Sequence, residues 1–310
     1  MTLIGIVLPV FLVIGLGYAL RRLRLVTEPV NAGLSRLVFY AASPALLLRS
    51  LARAELDWRV GAGMLAGVGV VSVAAALAAY VLLRRAAPAR RGVIALGAFR
   101  SNTVFMGLPL VLSAYGDAAL APMGILIAFL VIVENPLAAL LLTLPHQRRN
   151  ARDARLWLGT LGRVLVNPLV LGAGAGVVLS LLDAAVPGPV DRALDLVGQT
   201  AAPLGLLCVG AGLDTALLRA ELRAASMVAA AKLVVVPLLV LLVLRQLGLT
   251  GVALGVPVLV AACPTAVISA IMAREMRGDA RLASAIVVGT TLFSLATLVG
   301  WLALLEGLAG

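Results

Sequence analysis

Long apolar runs alternate with short polar interruptions along the chain, and the runs are of nearly constant length. Ten can be marked off: Leu3 to Leu20, Ala32 to Leu51, Val60 to Leu83, Gly92 to Tyr115, Ala118 to Leu144, Val164 to Leu182, Gly198 to Leu218, Ser226 to Leu244, Gly251 to Met272 and Leu282 to Leu305. Each comes close to the ~20 residues a helix needs to cross hydrocarbon. The pattern therefore predicts an all-α polytopic membrane protein with ten transmembrane helices. The fourth run departs from the others, because Arg100, Ser101, Asn102 and Thr103 crowd its middle and Gly107 and Pro109 follow. An unbroken lipid-facing rod is a poor description of it, since irregular backbone at membrane depth needs protein or a water-filled cavity to cover it.

Composition agrees with the pattern. Of the 310 residues 62% are apolar and 13% charged, with mean hydropathy +1.11, against roughly 45–50% and about 25% in soluble domains. The net charge of +11 would point to nucleic acid in a soluble chain, but here most of the basic residues sit between the runs. Sixteen fall in five alternating loops (21–30, 84–91, 146–155, 219–223 and 274–281) and five in the intervening ones (49–59, Arg192 and Arg245). Read by the positive-inside rule, that bias places both termini outside a multi-pass protein of the inner membrane, with membrane lipid as its surroundings and no nucleic-acid partner. Arg21, Arg22 and Arg24 follow the first run rather than precede it, so it reads as a retained span and not a signal peptide. Cys208 and Cys263 lie inside apolar runs and have neither disulfide nor metal spacing. No metal site is expected. No His-Glu-x-x-His helix occurs and the loops are short, which argues against an enzyme.

The polar run from His146 to Arg155 is the natural midpoint, dividing the chain into a repeat at 1–145, a linker at 146–159 and a second repeat at 160–310. With five runs on either side of a cytoplasmic linker, the halves enter the membrane in opposite senses. An inverted repeat is visible: Pro9, Gly15 and Gly17 match Pro168, Gly174 and Gly176, and Pro44 matches Pro203, all at an offset of 159 residues. At that offset the fourth run falls on the ninth, which carries Pro264 among Thr265 and Ser269. Proline deletes a helical hydrogen bond and pushes away the carbonyl four residues back. Helix breaks are therefore expected at Pro109 and Pro264. Facing each other near the midplane, two such breaks would turn half-helix N-termini toward the centre and favour an anion, as in secondary transporters.

These blocks resemble a known family. Leu34-Ser-Arg-Leu-Val-Phe-Tyr with Pro44-Ala-Leu-Leu-Leu-Arg-Ser-Leu, Ser101-Asn-Thr-Val-Phe-Met-Gly-Leu-Pro-Leu, Pro203-Leu-Gly-Leu-Leu-Cys-Val-Gly-Ala and Pro264-Thr-Ala-Val-Ile-Ser-Ala-Ile-Met-Ala-Arg-Glu are similar to the auxin efflux carrier family, which includes bacterial carriers and the plant PIN proteins within the bile acid and sodium symporter superfamily. The resemblance implies crossing of broken helices 4 and 9, and a transport domain of helices 3–5 and 8–10 on a scaffold of helices 1, 2, 6 and 7. It also implies a homodimer and elevator-type movement of a small organic anion, a carboxylate that is auxin-like or a dicarboxylate. The chain departs from the plant pattern at Ser101, where a proline precedes the asparagine. Its central loop shrinks to about Pro145–Gly159, and its third run has no charged residue.

The charged residues more than five positions from either end of a run are Arg100, Glu134 and Lys232, and such residues mark function by default. Arg100 and Glu134 lie at similar depth on neighbouring antiparallel runs, roughly 12 and 15 Å from the same side at 1.5 Å per residue. One reading pairs them as a structural ion pair. The other has Glu134 bind a coupling proton or sodium ion while Arg100, with Asn102 and Asn135, faces a carboxylate, for which its planar fork is suited. Lys232, about 9 Å from its end of the run, reads as snorkelling. Ser101, Thr103, Thr265, Ser269, Ser43 and the Pro264 break complete the candidate substrate site, although membrane hydroxyls often bond their own helix. Gly15, Gly17, Gly172, Gly174 and Gly176 read as packing positions. An organic-anion carrier is the first reading; a cation-coupled carrier or cation/proton antiporter with Glu134 as ion site is the alternative. No cofactor is expected beyond a coupling proton or sodium ion.

Overall fold

The computed structural model describes residues 3–53, 58–143 and 166–309; the linker expected at 146–159, with His146, lies outside the described residues. Among the described residues the regular structure is helical, with no strand. In chain order the helices are α1 (Leu3–Arg22), α2 (Glu28–Leu37), α3 (Ser43–Ala52), α4 (Trp58–Leu82), α5 (Pro88–Phe99), α6 (Leu108–Tyr115), α7 (Leu120–Thr143), α8 (Pro168–Leu181), α9 (Gly188–Gly198), α10 (Ala201–Ala211), α11 (Thr215–Ala220), α12 (Leu222–Ala230), α13 (Val236–Gln246), α14 (Gly251–Ala262), α15 (Ile268–Glu275) and α16 (Ala280–Ala309). Among the described residues six stretches are long and apolar enough to cross a membrane: Gly5–Arg22, Gly61–Leu82, Thr103–Thr143, Gly188–Ala211, Leu222–Gln246 and Ala280–Leu308. Pro168–Leu181 and Gly251–Ala262 are apolar but shorter.

Local chemistry accounts for the boundaries. Asn167 starts α8 by accepting from the Leu169 N–H at 2.9 Å, with Pro168 in the first turn, where its missing donor costs nothing. Asp214 caps α11 in the same way. Three π-helical turns, Val38–Ala42, Thr103–Gly107 and Ala231–Val235, each end two residues before a proline, Pro44, Pro109 and Pro237. The ring cannot donate and displaces the carbonyl four residues back, so the ladder widens without parting. At Pro237 that freed carbonyl is Leu233 O, and the Trp301 indole N–H donates to it at 2.7 Å. Pro109 thus widens its helix and does not break it; the break lies earlier, at Arg100–Asn102.

The described chain divides into two compact units, each drawing on both halves of the sequence: Met1–Ala62, Thr103–Ile132 and Gly162–Leu213 in the first, Gly63–Asn102, Val133–Leu161 and Asp214–Gly310 in the second. In the first, α1 packs along α10 and α3 along α8 at backbone contact. A methyl at Gly17 would overlap the Leu207 carbonyl, and one at Gly176 would meet the Leu48 carbonyl oxygen at 2.6 Å. Glycine is what lets these helices approach so closely. Gly172 is likewise pressed on Pro44, whereas Gly15 and Gly174 face open space and are not packing positions. Arg49 bonds Asp191 at 3.0 Å and Asp195 at 2.7 Å, and Arg53 bonds Asp191. Along α1, Leu8, Leu12 and Leu16 are exposed while Val7, Val10 and Ile14 are buried, an apolar outer stripe that suits lipid.

In the second unit Val93, Leu96 and Phe99 of α5 pack with Leu141 and Leu142 of α7, Val228 of α12 and Leu282 and Ile286 of α16. At one end Arg90 bonds Glu221 at 2.8 Å and Asp279 at 3.1 Å, and the Asp279 N–H donates to Ala89 O. The bonded carboxylates raise the pKa of Arg90 above its ordinary value, Glu221 contributing most. The Arg90 hydrogen bond in turn lowers the pKa of Glu221 below its ordinary 4.5.

Candidate functional site

The site lies in the second unit, where two helices stop and their loose ends pair. α5 ends at Phe99 and Arg100 is extended, with φ −77° and ψ 116°. α14 ends at Ala262 and Cys263 is extended, with φ −65° and ψ 151°. Pro264 explains the second end, because a residue before proline is pushed out of the helical region. The first end has no proline. It is held instead by pairing with the second: Ser101 and Thr265 form an antiparallel bridge, the Asn102 N–H donates to Pro264 O at 2.8 Å, and the Ala266 N–H donates to Arg100 O at 3.3 Å. Side chains satisfy further groups left open by the breaks. Thr265 Oγ1 donates to Gly97 O at 2.9 Å, and the Thr265 N–H donates to Thr290 Oγ1 at 3.1 Å. Open carbonyls at helix C-termini need such partners when buried.

The three charged residues are all buried here. Arg100 does not pair with Glu134: it donates from Nη2 to Asn135 Oδ1 at 2.6 Å and from Nη1 to Met272 Sδ at 3.1 Å. Successive helical residues point about 100° apart, which is why equal depth did not guarantee contact. Among the described residues no carboxylate lies within 4 Å of the Arg100 guanidinium, so its charge meets only neutral partners directly. Glu134 accepts from the Ser101 backbone N–H and lies in the field of Arg100 and Lys232.

Lys232 overturns its sequence reading. It does not snorkel: it is 0% exposed, and its Nζ donates to Ser101 Oγ at 2.9 Å and to Ala261 O. Pro237, five residues further on, was an available signal. Thr290 and Met272 also enter without having been picked out, because a threonine or methionine in an apolar helix carries no pattern of its own. Among the described residues, two side-chain atoms beside the breaks are buried without a hydrogen-bond partner, Asn102 Nδ2 and Ser269 Oγ. Unpaired buried polar atoms are costly and call for an explanation. Arg100, Ser101, Asn102, Glu134, Asn135, Pro264, Thr265 and Ser269 thus gather in one unit; Ser43, Thr103 and Pro109 belong to the other, where the Ser43 hydroxyl is also buried and unpartnered.

Paired breaks with buried charge are a carrier's architecture, and comparison with known proteins agrees. Residues 2–302 match the family described as membrane transport protein. The chain belongs to this family. It is the auxin efflux carrier family that the motifs resemble. Relatives of the transporter include a protein of Rhizobium meliloti (strain 1021) named "Putative malonate transporter", 30% identical over 97% of this chain and 95% of the relative. Another, from Methanothermobacter thermautotrophicus, is named "Uncharacterized transporter" and is 27% identical over 95% of this chain and 96% of its own.

Proposed function

We propose that this membrane transporter is a secondary active carrier of a small organic anion, a short carboxylate of the malonate type, in the inner membrane. The observation that carries the reading is the pair of unpartnered buried groups, Asn102 Nδ2 and Ser269 Oγ, beside an arginine with no direct counter-ion at two paired helix breaks. Asn102 Nδ2 can only donate, and Arg100 supplies charge and a fork that fits a carboxylate. With Arg100, Lys232 and Glu134 ionised, the site carries one net positive charge, which an anion would balance. The name of the Rhizobium relative points to the same chemistry.

Ten spans in an inverted repeat, both termini outside, and elevator-type movement of the breaks by a transport domain in a homodimer belong to the same reading. It is supported inside the first unit, where the Gly17–Leu207 and Gly176–Leu48 contacts are related by the 159-residue repeat offset. The test is uptake of radiolabelled malonate into proteoliposomes, with unlabelled carboxylates as competitors. Saturable uptake that Arg100→Ala abolishes is the expected result. Uptake indifferent to every carboxylate overturns the reading, and recovery in an Arg100→Ala, Glu134→Ala double variant would make Arg100 a structural counter-ion. Imposed sodium and proton gradients separate this carrier from the cation-coupled alternative with Glu134 as ion site.

A further inference from the structure

Lys232 places a monovalent charge in surroundings built for a cation. It rises from the π-helical turn Ala231–Val235, is wholly enclosed, and ends between the Ser101 hydroxyl of the first break and the Ala261 carbonyl at the C-terminus of α14. Cys263 and Glu134 are both near enough to act on it, and Glu134 itself accepts from the Ser101 N–H. A hydroxyl oxygen, a carbonyl at the negative end of a half-helix and a nearby carboxylate are the donors with which broken transporter helices hold a coupling ion. Here that position is filled by a side chain of the protein itself.

We infer that Lys232 is a tethered cation that takes the place of a dissociable one at the paired breaks, so that the carrier works without sodium. The ammonium bridges the two breaks, one contact on each, and supplies permanently what a bound ion would supply once per cycle. Removing it leaves a hole bordered by the Ser101 hydroxyl and the Ala261 carbonyl that a small cation can enter. The transport arm of the test rests on the carboxylate-carrier reading above; the thermal arm needs no substrate and stands without it.

The experiment compares wild type, Lys232→Ala and Lys232→Met in detergent by thermal unfolding, in sodium, methylammonium and choline chloride at equal ionic strength. Wild type is expected to melt at one temperature in all three salts. Lys232→Ala is expected to melt several degrees lower in choline and to regain at least half of the loss in sodium or methylammonium. Lys232→Met, which conserves volume and blocks the hole, is expected to be destabilised without regain; because it keeps the core filled, it remains informative if the alanine variant does not fold. Specific stabilisation of wild type by sodium, no cation response in Lys232→Ala, or a Lys232→Met variant as stable as wild type would each overturn the inference. In proteoliposomes wild-type malonate uptake should be equal with sodium and with choline, and Lys232→Ala uptake should rise severalfold with sodium. A failure of carboxylate uptake with an intact thermal pattern refutes the substrate, not the tethered cation.

Discussion

The two breaks in the second unit do the same thing to the backbone by different means. At Cys263–Val267 the cause is internal: Pro264 forces Cys263 out of the helix and cannot donate. At Arg100–Asn102 the cause is external, because the residue at 101 is a serine and the extended backbone is held by hydrogen bonds to the proline break. The first break carries the polar side chains and the second the geometry. Freed from proline, position 101 offers an N–H to Glu134 and a hydroxyl to Lys232, neither of which proline could provide. One rigid break therefore serves as template for one chemically equipped break.

The sharpest way to break this asymmetry is Pro264→Ala. Proline is disfavoured by about 3 kcal/mol relative to alanine inside a helix, so its removal lets residues 263–267 wind up and withdraw the carbonyl from Asn102. Transport should fall more than tenfold, while the protein still purifies as a folded species. Near-normal uptake would mean that the first break holds its own shape. The next effect in size concerns chemistry alone. Asn102→Ala removes a donor that no protein group uses, so stability should be unchanged or raised while carboxylate affinity weakens about tenfold, the equivalent of 1.4 kcal/mol. Ligand-induced thermal shift measures both, and unchanged affinity would remove Asn102 from the site. Smaller again is Thr265→Val, which keeps the backbone pairing but deletes the hydrogen bond to Gly97 O. A loss of about 1 kcal/mol is expected, read as a lower melting temperature with affinity nearly intact.

The same contrast explains what was legible beforehand. Apolar run length announced a polytopic helical protein, and Pro264 announced its own break, because a proline acts on its neighbours locally. Pro109 misled for the same local reason: it follows an uninterrupted π-helical turn, and nothing in its vicinity tells a widened turn from a break. The first break is a property of residues 264–266, more than 160 positions away, and only the accumulation of Arg100, Ser101, Asn102 and Thr103 hinted at it. Arg100 and Glu134 were recognised as important, yet their partners were not, since depth along a helix is readable from sequence and azimuth among packed helices is not. Lys232 failed on the same point.

The smallest predicted effect lies at the far ends of the helices that the breaks terminate. Arg90, in the first turn of α5, is clamped by Glu221 and by Asp279, which caps α16 by accepting from the Leu282 N–H. The clamp orients α5 from its distal end, so it can tune the first break but should not affect the proline break. The pKa of Glu221 is depressed by this partner, so its contribution is fully present above its ordinary pKa of about 4.5 and is lost as pH falls through the lower folded value. Glu221→Gln should therefore lower the melting temperature slightly at pH 7, and the gap from wild type should narrow below about pH 4.5 and close once pH is below the lower folded value, where the wild-type carboxylate is also neutral. Solvent screening keeps the effect small, since the Glu221 side chain is 20% and Arg90 36% exposed. A gap that persists unchanged into acid would assign Glu221 a packing role, and the distal anchoring of the first break would then rest on Asp279 alone.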